Sequence, residues 1–171
     1  MWTCRAERES PFSPEALPRR DGENPLHGGA PATLDRVREL LRRKHFVVTI
    51  DDEAGILRRA RTVEPFASIQ ELEDTYGDLL AVLSRLDRTK LGQLVDARAA
   101  PPRNDAEFEA AVTRHHEELY RGFRATAVLV RMVAGKLQVK RMLESSGIVA
   151  LVCVHEEDAI RYLRGELPLE S

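Results

Sequence analysis

Hydrophobic residues change their spacing several times along the chain, and each change marks an element. Thr33 offers an N-cap, and Leu34, Val37, Leu40 and Leu41 form an apolar stripe behind it. That pattern predicts a short helix, with Arg42, Arg43 and Lys44 suiting its C-terminal end. Phe46, Val47, Val48, Thr49 and Ile50 are β-formers, residues 51–55 carry turn chemistry, and residues 56–63 return as a second strand. The pair reads as a hairpin, and Arg58, Arg59 and Arg61 are expected to keep one face of its second strand in water.

The next segment carries a Ser-x-x-Glu capping box, Ser68 with Glu71, followed by Ile69, Leu72, Tyr76, Leu79, Leu80, Leu83 and Leu86 on one helical face. Residues 91–96 read as a short strand. Pro101 and Pro102 break the chain, Asn104 with Glu107 offers a second cap, and Phe108, Ala111, Val112, His115, Leu119 and Phe123 continue at helical spacing. Residues 125–130 and 148–154 are apolar without alternation, as strands covered on both faces are. A helix over 135–145 separates them. Glu156, Glu157 and Asp158 open a last helix that Gly165 and Pro168 end. The order α-β-β-α-β-α-β-α-β-α predicts an α/β domain. Its mixed sheet has an N-terminal hairpin, then parallel strands joined by αβ crossovers.

Residues 1–32 follow neither period and are rich in Pro and Gly. They are expected to be a disordered tail ahead of a domain spanning 33–167. Trp2 or Phe12 would anchor a docking peptide there; the plainer expectation is a passive extension. Charge and composition narrow the class further. The 26 Lys+Arg nearly balance 28 Asp+Glu, which argues against a nucleic-acid binder. Of the basic residues 22 are arginine, a bias that a GC-rich genome also produces. Two cysteines, Cys4 and Cys153, are too few for a disulfide framework or a zinc site. No run approaches the ~20 apolar residues of a membrane span. A cytoplasmic domain without membrane span, metal or cofactor is expected.

Chemistry-bearing motifs are sparse. No dinucleotide fingerprint or P-loop occurs. His115 and His116 are adjacent, about 100° apart on a helix, so they do not readily share an ion. His115 falls on the apolar stripe and is expected to be hydrogen-bonded and partly buried, while His116 is expected in solvent. Cys153 reads as a small hydrophobe within a strand. The segment Asp96-Ala97-Arg98-Ala99-Ala100-Pro101-Pro102-Arg103-Asn104-Asp105 lies at the carboxyl end of a predicted parallel strand and runs into a helix start. Ligands and partners usually bind at that edge, and Arg98 and Arg103 beside helix N–H groups would hold an anion. The structural alternative is that Asp96 pairs with an arginine while Asn104 or Asp105 caps the helix.

The hairpin, the capped helix, the strand Gly92-Gln93-Leu94-Val95-Asp96-Ala97-Arg98 and the Ala-Val-Leu-Val and Val-Ala-Leu-Val-Cys-Val strands together resemble STAS domains. The nearest branch is the SpoIIAA-like, STAS/SEC14-type single-domain proteins of bacteria, over roughly residues 44–165. The resemblance implies a regulatory, non-enzymatic domain that binds a protein partner. In the anti-sigma factor antagonists a Ser or Thr just after the equivalent of Leu94-Val95-Asp96 is phosphorylated; here residues 97–109 contain neither. The partner surface is expected at Arg98, Arg103, Asn104 and Asp105, continuing through His116 and Arg121. A homodimer would use the hairpin edge or an amphipathic helix. The SEC14-type label implies an alternative, a carrier or sensor of a lipid or other small apolar ligand.

Overall fold

Three antiparallel strands followed by three parallel ones make a single six-stranded sheet whose spatial order equals its sequence order. The fold is that of a computed structural model, which describes residues 36–103 and 105–169. The tail expected over 1–32, the Thr33 cap, Leu34 and Asn104 lie outside them. Strands β1 (Val37–Arg42), β2 (Phe46–Asp51) and β3 (Ile56–Arg61) form a meander. Helix α1 (Ile69–Leu83) then crosses to β4 (Gly92–Asp96), α2 (Ala106–Arg114) and α3 (His116–Tyr120) to β5 (Ala125–Leu129), and α4 (Val133–Ser145) to β6 (Leu151–Cys153). Helix α5 (Glu156–Leu163) closes the fold. The α/β class with a mixed sheet is as the sequence predicts.

One element differs. Residues 37–42 form β1, not a helix, antiparallel to β2, with a register shift between Glu39 and Leu41. Leu, Arg and Glu are good helix formers, but intrinsic propensity is a small term that pairing with a neighbouring strand overrides. The turn at 43–45 is closed by Arg43 N–H donating to Phe46 O at 2.8 Å. The expected hairpin is therefore the second and third strands of a meander. Its β2–β3 turn is fixed by Asp51, whose Oδ1 accepts from the Glu53 and Ala54 N–H groups, and by Gly55 at φ 62°.

The capping box forms almost as read. Ser68 Oγ accepts from Glu71 N–H at 3.1 Å, while Glu71 reaches one residue further back, to Ala67 N–H at 2.6 Å. That backbone bond, with His45 and Lys44 nearby, holds the Glu71 carboxyl down to about 2. Behind the cap, Leu72, Tyr76, Leu79 and Leu83 are buried against Phe46, Val48, Ile50 and Leu57.

Crossovers of one hand that step in one direction deliver their helices to one face. Accordingly α1–α4 cover the face that carries Val48, Leu57, Val95 and Val128. Helix α5 alone covers the other face, over β4, β5 and β6, through Ala159 and Leu163 on Leu94, Ala127, Leu129 and Cys153. Burial pushes the Cys153 thiol pKa up. The close approach of α5 depends on Gly92, where a Cβ would lie 3.2 Å from Leu163 Cβ and Cδ2. Gly92→Val is expected to lower stability by roughly 1–3 kcal/mol through overpacking. A chemical-denaturation midpoint unchanged from wild type would show that α5 docks without this contact.

Candidate functional site

The core on the helical face is not continuous. One cluster gathers around α1 and the meander and another around Leu143 of α4, and Tyr120 is the side chain that packs against both. Between them opens a cleft of about 520 Å³. Phe66, Phe108, Val112 and Tyr120 line one wall, Val139 and Met142 of α4 the other, and Val95 and Val128 the floor. The cleft lies toward the carboxyl ends of β3, β4 and β5, the edge expected from the sequence. Helix α4 buries only Leu143 completely, so one wall is tied to the fold by few contacts.

Five arginines line the cleft, Arg59, Arg61, Arg98, Arg103 and Arg131, against one acid, the exposed Glu109. Their states differ. Arg98 belongs to a closed charge network: its Nε and Nη2 reach Asp96 at 2.9 and 2.7 Å, and its Nη2 reaches Glu156 at 2.7 Å. Arg58 completes it, at 2.5 Å from Asp96 and 2.6 Å from Glu156. Although burial opposes it, hydrogen bonding to Arg98 and Arg58 holds the Asp96 carboxyl down to about 2. Arg103 pairs with Asp105, donates to Phe66 O at 3.1 Å and lies over the Phe108 ring. It thereby fixes the loop after β4 to the cleft wall. Arg61 is stacked on Phe46 and Phe66 and donates to His45 O at 2.8 Å and Glu64 O at 3.2 Å.

Arg59 is the exception. It is 4% exposed, projects from β3 into the cleft, and among the described residues its Nε and Nη1 have no hydrogen-bond partner. Its guanidinium lies 5.1 Å from the centre of the Tyr120 ring. A desolvated cation–π contact contributes about 2 kcal/mol, whereas removing an ion from water costs several. Tyr120 therefore offsets only part of the cost.

His116 adds no compensating charge. It is buried at 2% exposed, with Nδ1 3.0 Å from Ser146 Oγ, and burial, then the Arg59 charge, holds its pKa down to about 4. This corrects the expectation that His116 is solvated. The helix breaks at His115, which restarts the periodicity and turns His116 inward. His115 is partly buried against Glu73, as expected. The remaining expected residues do not converge. Asp105 caps α2 by accepting from Phe108 N–H at 2.8 Å, and Arg121 pairs with Glu117 in solvent, away from the cleft lining. The structural alternative for residues 96–105 thus describes Asp96 and Asp105.

The sequence does not single out Arg59. Its run reads as wet on one face, but period-two alternation places Arg58 toward the α5 side and Arg59 and Arg61 toward α1–α4. Among the described residues no set of His, Cys, Asp or Glu could hold a metal ion, and no helix is long and apolar enough to cross a membrane. Compared with models of known protein families, with curated proteins and with solved structures, the chain matches none. Fold and site define an α/β domain built around a lined, arginine-bearing cleft.

His116 makes stability pH-dependent. Its folded pKa lies below the ordinary 6.5, so between about 6.5 and 4 the unfolded chain binds more protons. Stability is expected to fall as pH drops through that window, above the range in which Glu71 and Asp96 titrate. Unfolding midpoints measured against pH should flatten there in His116→Gln; an unchanged slope would assign the effect elsewhere.

Proposed function

We propose that this chain is a binding domain for a small apolar molecule, a carrier or sensor whose ligand occupies the cleft between α2–α3 and α4. The observation that carries this reading is the cleft itself. Its volume of about 520 Å³ falls within the roughly 300–1,000 Å³ of small-molecule sites, and its mainly aromatic and aliphatic lining with a few polar groups has their composition. The reading agrees with the apolar-ligand alternative that the STAS/SEC14-type resemblance implies.

Recognition of a protein partner is the second reading. One surface favours it: Met132, Val133 and Leu137 stand exposed at the start of α4, each more than half accessible. Large apolar residues grouped in this way on a surface mark interaction sites. The regulatory partner surface is then α4 rather than Asp105 and Arg121, whose charges are already paired.

Nile red, a neutral apolar dye, tests the first reading. The full chain is expected to bind it with a blue-shifted rise in fluorescence. Val139→Trp, which fills the cleft from its α4 wall, is expected to weaken binding by about tenfold or more, with circular dichroism unchanged. Equal binding by wild type and Val139→Trp, or no binding by wild type, would remove the cleft as a ligand site.

A further inference from the structure

We infer that the ligand is a singly charged amphiphile, an apolar body carrying one carboxylate, and that the carboxylate pairs with Arg59. The inference rests on the cleft being a ligand site and specifies what it takes. Within the cleft, Arg59 is the one buried cation whose Nε and Nη1 lack acceptors among the described residues. A guanidinium presents its donors in a planar fork that matches a carboxylate, and a desolvated pair of this kind is the usual state of a buried arginine.

The choice of headgroup follows from the donors that the neighbours leave free. Arg98 is engaged by Asp96 and Glu156, and Arg103 by Asp105. Arg61 donates to two backbone carbonyls between two aromatic rings. His116 is neutral at pH 7, its pKa being down to about 4. Arg131 is exposed. Arg61 also lacks an acid partner, but its donors are already occupied by backbone carbonyls; Arg59 is therefore the one guanidinium in the buried part of the cleft with donors left unpaired, and a single carboxylate meets them. A phosphate monoester brings three strong acceptor oxygens, more than the free donors of Arg59 satisfy.

The aromatic and aliphatic lining fixes the other half of the ligand. Tyr120 lies against Arg59, and Phe66 and Phe108 on one wall and Val139 and Met142 on the other supply the apolar surroundings. A carboxylate at Arg59 would leave an alkyl or aryl body between these two walls.

Calorimetric titration of the full chain at pH 7 with octanoate, its neutral counterpart octanol, and octyl phosphate tests this. Octanoate is expected to bind about tenfold or more tightly than either. Arg59→Met is expected to abolish the preference for octanoate over octanol while octanol still binds. Arg59→Lys keeps the charge without the fork and is expected to retain part of the preference, so a poorly folded methionine variant leaves the test intact. Octanol binding as tightly as octanoate, or the preference surviving in Arg59→Met, would overturn the carboxylate assignment. Octyl phosphate binding most tightly would also overturn it, in favour of a dianion. In each case Nile red binding would leave the cleft reading standing; its loss would remove both. Nile red binding with no response to octanoate counts against the carboxylate alone.

Discussion

Arg59 lies on the sheet face that four helices cover, where its own strand and both neighbours contribute apolar side chains, Leu57 on β3, Val48 on β2 and Val95 on β4. Holding a guanidinium there opposes folding by several kcal/mol, of which its contact with Tyr120 returns part. Tyr120 is also the bridge between the two halves of the core on that face. The packing of α3, the division of the core and the cleft are thus one arrangement. The helices bury the charge without supplying it a hydrogen-bond acceptor, and the cleft opens beside it.

The sheet order makes this possible. With six strands in sequence order and no reversal, there is no topological switch point to open a crevice. The opening comes instead from unequal anchoring. Helix α1 buries four apolar side chains and Thr75 against the meander, whereas α4 buries only Leu143. On the opposite face α5 is drawn close by Gly92 and pinned at its start by Glu156 to Arg58 and Arg98. The rigid side holds the charge network, and the loosely held side holds the cleft.

Much of the fold is legible in the sequence because local signals agree with tertiary ones. Ser68 and Glu71 mark the start of α1, Asp51 and Gly55 mark a turn, and the unalternating runs near Val128 and Val152 mark strands covered on both faces. Residues 37–42 fail this test because a helical stripe and an edge strand compete, and pairing with β2 decides it. The site is less legible. Arg98 and Arg103 do line the cleft, but the partners that neutralise them, Glu156 and Asp105, become clear only once α5 and α2 are placed. His116 depends on a helix break at His115 that no proline or glycine announces. Arg59 is one of three arginines in a strand whose two faces meet different helices, and period alone does not say which charge goes unpaired.

A charge retained for a ligand weakens the protein that holds it empty. Chemical denaturation of the ligand-free wild type and of Arg59→Met, which replaces the guanidinium by an apolar side chain, measures this directly. If Arg59 is kept for recognition, the variant is more stable than wild type, by roughly 1–4 kcal/mol, the range seen when buried ion pairs are replaced by hydrophobes of similar volume. A variant clearly less stable than wild type would contradict this, making Arg59 a structural element of the core and leaving the cleft without its ligand anchor.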